Sequence, residues 1–152
     1  MQPHIWLYRV GNFCHRSRIP FLPAVFTWLN RLCFSCIIPS SAQIGRDVRI
    51  GYWGLGVVIH KHAQIGDRCW IMQNVTLGRK AGVESPPKLD ENVAVGAGAV
   101  ILGDITVGAN SVIGANSVVV HSVPANVVVA GVPAKPIRSL SEGSTHCHYE
   151  ER

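Results

Sequence analysis

Two histidines two positions apart, His60 and His62, are the side chains in this sequence best suited to chemistry. Imidazole can exchange a proton near neutral pH, and it is also a common metal ligand. Irregular segments lie on either side of the pair, GYWGLGVV at residues 51–58 and GRKAGVESPPK at residues 78–88. What the two rings can do therefore depends on the scaffold that positions these segments.

An aliphatic residue at every sixth position indicates that scaffold. The repeat runs from Ile44 to Val119, and a glycine often follows the aliphatic residue. Neither an amphipathic helix nor an ordinary strand has this period. A fixed six-residue repeat is typical of a parallel β-helix, in which each coil buries its apolar residues against the next. The sequence predicts a mainly β protein of about five coils, with three hexapeptides closing each coil.

Stacking the coils predicts three faces, each with a column of inward-pointing aliphatic residues. Face A carries Ile38, Ile59, Leu77, Ile101 and Val119; face B carries Ile44, Ile65, Leu89, Val107 and Ala125; face C carries Ile50, Ile71, Val95 and Ile113.

The six-residue count fails twice, at the two irregular segments. The first break lies at the corner between faces C and A, and the second lies between faces A and B, one coil higher. His60 directly follows Ile59, so its side chain should point outward below Gly78, at the root of the longer loop. Functional sites are often built on loops held by a rigid scaffold. We therefore predict a site around His60, with His62 as a neighbour that could orient it, and a plain surface histidine as the alternative.

Size and composition indicate one domain of 152 residues with enough apolar content, 47%, to form a core. The net charge of +5 is compatible with phosphate or an anionic surface. No basic run, recognition motif or aromatic platform is present, so we expect no nucleic-acid partner.

The chain divides into a helical cap at residues 1–37, the β-helix at residues 38–138 and a polar tail at residues 139–152. The cap should form two short helices, broken near Ile19-Pro20, that cover the end of the β-helix. Its apolar stretch is interrupted by Arg31 and is too short to span a membrane. The alternative is peripheral membrane contact, with arginines facing lipid phosphates: Arg9, Arg16, Arg18 and Arg31.

The cysteines and the tail suggest no metal centre. Cys33 and Cys36 have C-x-x-C spacing without a second pair, so we expect small buried hydrophobic residues, with a redox or zinc role as the alternative. His146-Cys147-His148 does not complete a tetrahedral site. Because no secretory signal is evident, we expect a cytoplasmic protein, with the inner face of the membrane as the alternative site.

Several motifs resemble those of the hexapeptide-repeat acyltransferases: QNVTLG at 73–78, the repeat run at 93–120 and AGVPAKPIR at 130–138. Within that superfamily the chain looks most like the serine acetyltransferase branch, including members that acetylate sugars in polysaccharide synthesis. The resemblance implies a left-handed β-helix and a homotrimer that binds acetyl-CoA between subunits. It also implies direct acetyl transfer, with a histidine as general base and backbone N–H groups stabilising the oxyanion.

His60 is the candidate base because it is the imidazole nearest to both breaks, and His62 could help to orient the acceptor or His60. The residues implied for acetyl-CoA are small side chains beside the pantetheine and cations near the phosphates: Gly78, Ala97, Gly98, Ala115, Lys135 and Arg138. Arg79 and Lys80 are alternative phosphate contacts.

The sequence departs from the serine enzymes at their catalytic positions. Their Asp-His pair falls at Tyr52 and Trp53, and their loop histidine falls at Pro86. We therefore expect a rebuilt site that O-acetylates a sugar, with Tyr52 and Trp53 stacking on a pyranose ring or, alternatively, filling the corner as core residues.

Three other functions stay open at this point. They are serine O-acetylation, a catalytically degenerate scaffold trimer, and a γ-type carbonic anhydrase. The last would need a third histidine one coil from His60 and His62, where Gly78 and Lys80 stand instead.

Overall fold

A computed structural model describes residues 2–82 and 85–141, in which two helices precede a parallel β-helix. The helices are α1 (Pro3–Arg16) and α2 (Leu22–Phe34). The strands are β1 (Gln43–Ile44), β2 (Arg49–Ile50), β3 (Val58–Ile59), β4 (Gln64–Ile65), β5 (Trp70–Ile71), β6 (Thr76–Gly78), β7 (Lys88–Leu89), β8 (Ala94–Val95), β9 (Val100–Leu102), β10 (Thr106–Val107), β11 (Val112–Ile113), β12 (Val118–Val119), β13 (Val127–Gly131) and β14 (Ala134–Ser139).

The strands form three sheets that correspond to the predicted faces. Face A contains β3, β6, β9 and β12, and face B contains β1, β4, β7 and β10. Face C contains β2, β5, β8, β11 and β13, and β14 pairs antiparallel with β13 at its end. Ile59, Leu77, Ile101 and Val119 lie in register on face A and are buried. The predicted β-helix is confirmed, with about four turns instead of five.

One stacking prediction is wrong at the last coil of face B. Val123, not Ala125, pairs with Val107, and Ala125 is exposed. The spacing from Val119 therefore shrinks to four residues. Valine buries more apolar surface than alanine, and this favours the shorter spacing over a strict count of six.

Asparagines allow the chain to turn between faces B and C. Asn92, Asn110 and Asn126 all have positive φ, between 55° and 60°. Asparagine adopts this left-handed conformation more readily than most residues. Their side chains also form a ladder, since Asn92 Nδ2 donates to Asn110 Oδ1 at 2.8 Å and Asn110 Nδ2 donates to Asn126 Oδ1 at 3.1 Å.

The helices pack against each other and against the first coil. Asn30 Nδ2 donates to the His4 carbonyl at 3.1 Å, while the Tyr8 hydroxyl donates to the Ala42 carbonyl at 2.7 Å. Arg9 donates to the Ile44 carbonyl at 2.8 Å. Two helices separated by a break near residues 19–20 are thus observed. No helix in the described part of the chain has the length and apolar content to cross a membrane.

The C-x-x-C pair is split between two environments. Cys36 is buried, and burial raises the pKa of its thiol to about 11. Cys33 is exposed on α2, so the prediction that both are buried is wrong for Cys33. The reason is that α2 ends at Phe34, and Cys36 turns inward beyond it. The His146-Cys147-His148 segment lies outside the described residues.

Candidate active site

His60 is held at the corner between faces A and B. Its backbone N–H donates to the Leu77 carbonyl at 2.9 Å, and its carbonyl accepts the Ala63 N–H at 2.9 Å. Since Ile59 pairs with Leu77, His60 lies one coil below Gly78, as the repeat predicts. The imidazole is half-buried. The ladder therefore fixes the backbone of His60 while its ring remains accessible.

His62 contacts His60 through both its ring and its backbone. The ring centroids lie 5.7 Å apart at 55°, and the His62 N–H donates to His60 Nδ1 at 3.3 Å. Because Nδ1 accepts this bond, the neutral His60 ring carries its proton on Nε2. Nδ1 is therefore the basic atom of His60 in this arrangement.

The surroundings of His60 favour its neutral form. Partial burial lowers the pKa of His60 below its usual value of 6.5, and the positive charges of Arg79, His62 and Lys61 lower it further. A neutral imidazole can accept a proton at physiological pH, which is the requirement for a general base.

The longer loop begins directly above His60. The Gly103 N–H donates to the Gly78 carbonyl at 3.1 Å, which continues the ladder upward. A Cβ added at Gly78 would lie 3.1 Å from Leu102 Cδ2, so a side chain there would push against Leu102. Arg79 and Lys80 are exposed on the loop. Position 78 therefore favours glycine, because the Leu102 side chain occupies the space in which a Cβ would lie.

Tyr52 and Trp53 form an exposed aromatic bulge at the corner between faces C and A. Both have positive φ, 48° and 55°, which is costly for bulky residues. Their exposed fractions are 68% and 63%, so they do not fill the corner as core residues. The Trp53 ring meets the Phe34 ring of α2 edge-on at 6.1 Å. The rings are therefore available to a ligand, and Trp53 is also braced by α2.

The small residues predicted for acetyl-CoA stack at the same corner as this bulge. The Gly98 N–H donates to the Gln73 carbonyl at 3.0 Å, and the Asn116 N–H donates to the Ala97 carbonyl at 2.8 Å. Ala115 lies one coil above Ala97. These residues form one column of small side chains along the β-helix.

The predicted site residues are consequently divided between two edges of face A. Gly98 lies in the turn before β9 and Leu102 ends that strand, so the strand separates the two corners. Among the described residues, the ring contacts join His60 to His62 and Trp53 to Phe34, and none joins the two groups. The two breaks therefore lie at opposite corners of face A, and within one chain only the longer break adjoins His60.

Lys135 and Arg138, the predicted contacts for the CoA phosphates, lie on β14, at the end of face C, and both are exposed.

Two residues beside the predicted site, Phe34 and Leu102, were not predicted from the sequence. Leu102 could have been found, because the repeat stacks it on Gly78, whereas the contact of Phe34 with Trp53 has no sequence signal. Residues 2–82 and 85–141 contain no group of three or more His, Cys, Asp or Glu that could hold a metal ion.

Comparison with known proteins identifies the repeat. Residues 86–121 match the family model described as "Bacterial transferase hexapeptide (six repeats)". Within residues 86–121, the repeat is therefore similar to that family. Around it, the chain is 41% identical over 132 residues to the serine acetyltransferase of Synechococcus elongatus, covering 86% of this chain and 54% of that protein. It is 37% identical to the Staphylococcus xylosus serine acetyltransferase over 88% of this chain and 62% of the relative.

Solved structures extend this likeness to the whole hexapeptide fold. The serine acetyltransferase of Brucella abortus in complex with coenzyme A matches with a TM-score of 0.85 and 32% identity, over 90% of this chain and 55% of that one. The relatives and the solved structure reported above are serine acetyltransferases, and the chain spans between about half and two thirds of their length.

Proposed function

We propose that the chain is an acetyl-CoA-dependent O-acetyltransferase in which His60 is the general base. The observation that carries the proposal is a half-buried imidazole with a lowered pKa below the longer break of a repeat whose later part, residues 86–121, matches a transferase family model. The Brucella homologue, which was solved with coenzyme A, supports acetyl-CoA as the donor.

In the proposed reaction the acceptor hydroxyl donates its hydrogen to His60 Nδ1. This hydroxyl displaces the His62 N–H from His60 Nδ1. The displaced contact, at 3.3 Å between His62 N and His60 Nδ1, is longer than an ordinary hydrogen bond. As the proton moves to Nδ1, the acceptor oxygen bonds to the acetyl carbon and the carbon–sulfur bond breaks. The departing CoA sulfur takes the proton from the imidazolium, which returns His60 to its neutral form. The positive charges of Arg79 and Lys61 oppose lasting protonation of the ring.

We further propose that the site is completed by a second chain in a homotrimer. His60 with Gly78 and the column of Ala97, Gly98 and Ala115 lie at opposite edges of face A, so one chain supplies only half of the residues. The outward positions of face A are mostly aliphatic and half-buried: Val58, Thr76, Val100 and Val118. An accessible apolar strip of this kind fits a subunit interface. Lys135 and Arg138, both exposed, are retained as proposed contacts for the CoA phosphates.

For the acceptor, the names of the relatives favour serine over a carbohydrate. None of the reported relatives is named for polysaccharide synthesis. The second candidate, a sugar hydroxyl, is supported by the exposed Tyr52 and Trp53 rings, which could stack on a pyranose. These rings occupy the positions at which a serine enzyme is expected to carry its Asp-His pair.

One experiment separates these candidates. CoA release is measured with serine, free sugars and nucleotide sugars, for the unmodified chain and for His60→Ala, and acetyl-CoA binding is measured by calorimetry. The proposal expects turnover with one acceptor class, lost in His60→Ala while acetyl-CoA still binds. Tight acetyl-CoA binding without turnover of any acceptor would contradict the proposed acetyltransferase activity. Absence of acetyl-CoA binding would favour the catalytically degenerate scaffold trimer.

A further inference from the structure

Helix α2 presents a strip of apolar side chains to solvent, while its inner side combines polar residues with the partly buried Phe26 and Phe34. Asn30 is fully buried, with its side chain on the His4 carbonyl, and the Thr27 hydroxyl bonds to the Pro23 carbonyl. The opposite side carries exposed apolar residues spaced three or four apart: Phe21, Leu22, Val25, Trp28, Leu29 and Leu32. These residues are named here the α2 outer face. A helix whose apolar residues served only the core would not leave such a strip exposed.

The exposure of the α2 outer face is large for single side chains. Phe21 is 86% exposed, Trp28 66% and Leu32 76%. Solvent-exposed apolar residues are normal when scattered, but a continuous strip along a whole helix marks a surface that another phase or molecule covers.

The charged side chains on the two helices and the connection between them are arginines. Residues 1–46 include five arginines and no aspartate or glutamate, so the first side-chain carboxylate of the sequence is Asp47. Arg16, Arg18 and Arg31 are all exposed beside or on α2. An apolar strip with these cations beside it is complementary to an apolar layer bordered by anions.

We propose that the α2 outer face docks on an anionic lipid bilayer. Helices with such a strip lie in the membrane interface, with the apolar side among the acyl chains and the cations on lipid phosphates. The 13-residue length of α2 fits this position, since a spanning helix needs roughly 20 residues. A second copy of the same face would bring the arginines of both copies together without a carboxylate between them, which disfavours self-association.

The test is sedimentation of the full chain with vesicles of phosphatidylcholine, with and without phosphatidylglycerol. The chain is expected to bind the anionic vesicles and to be released by salt. Leu32→Ser and Trp28→Ser should each weaken binding at least tenfold, whereas Trp28→Phe should retain most of it. Arg18→Gln with Arg31→Gln should weaken binding and reduce its salt dependence.

Ile137→Ser is the matched control, because Ile137 is also largely exposed, at 65%, but lies on β14. It should bind vesicles like the unmodified chain, and so should His60→Ala, since docking does not depend on the proposed reaction. Thermal melting confirms that each variant folds. No binding to anionic vesicles at low salt, or equal binding by Leu32→Ser and Trp28→Ser, would overturn the proposal. Lipid-free self-association abolished by Trp28→Ser would instead assign the face to a second copy.

Discussion

The proton position on His60 decides which atom of the ring can act as a base. The His62 N–H occupies Nδ1 at 3.3 Å and thereby directs the ring proton to Nε2. Because that contact is long, exchanging it for an acceptor hydroxyl should cost only on the order of 1 kcal/mol. His60 is thus prepared for proton transfer without being locked in an unreactive hydrogen bond.

Replacing the imidazole tests this assignment directly. His60→Gln should lower kcat about 10²- to 10⁴-fold, the usual contribution of a general base, with little change in acetyl-CoA affinity. The measurement combines steady-state CoA release with calorimetry. His121→Gln is the control, because His121 is exposed at the same corner of the β-helix, higher along its axis. Equal activity of the two variants would contradict the role of His60.

The pH dependence should respond to Arg79. Its positive charge helps to hold the pKa of His60 below the usual value, so the base stays deprotonated at lower pH. Arg79→Gln should raise that pKa, and the acidic limb of kcat/KM should shift to higher pH as a result. Arg49→Gln, on face C, serves as the control and should leave the profile unchanged. If the acidic limb of kcat/KM moved to lower pH in Arg79→Gln, the proposed effect of Arg79 on the pKa of His60 would be contradicted.

At the scale of elements, the packing of α1 depends on a neutral buried histidine. His4 is fully buried beside Phe34, with ring centroids 5.9 Å apart, and neither ring nitrogen has a hydrogen-bond partner among the described residues. Burial lowers the pKa of His4 to about 4 from its ordinary 6.5. Protonation would place an uncompensated charge between the helices and the bulge.

The stability of the chain should therefore fall in mild acid. As the pH drops from 6.5 towards 4, the unfolded chain binds a proton that folded His4 does not, which costs about 3 kcal/mol in total. His4→Phe should remove this component, measured as the slope of unfolding free energy against pH. His15→Gln, an exposed position on the same helix, should retain it. An unchanged slope in His4→Phe would exclude His4 as the cause.

The elements were largely predictable from sequence, and the exceptions have local causes. A strict period fixes which aliphatic residue stacks on which, so faces A and C match residue for residue over their predicted members. Val123 departs from the count because valine buries more apolar surface at the last position of face B than Ala125 would. The outward apolar side of α2 could not be read from periodicity, since a strip predicts that a helix is amphipathic but not which side is covered.

At the scale of the whole molecule, face A separates the proposed base from the column of small residues. The sequence predicts the two breaks at opposite corners of face A, and the described residues have them there. A count along the chain does not say which corner a neighbouring chain would complete. Wrapping three chains around an axis brings unlike edges together, since each interface in a ring joins two different surfaces.

This arrangement predicts complementation between inactive chains. His60→Ala removes the base, and Ala115→Trp should block acetyl-CoA, so each variant alone should be inactive. In trimers reassembled from an equal mixture, about a quarter of the interfaces should pair an intact His60 with an intact Ala115 from the neighbour. Activity should recover to about that fraction of the unmodified level, measured as CoA release. A mixture of His60→Ala with His60→Gln is the control and should stay inactive, because no chain then supplies a base. If the first mixture also stays inactive while mixed trimers form, both halves of the site belong to one chain.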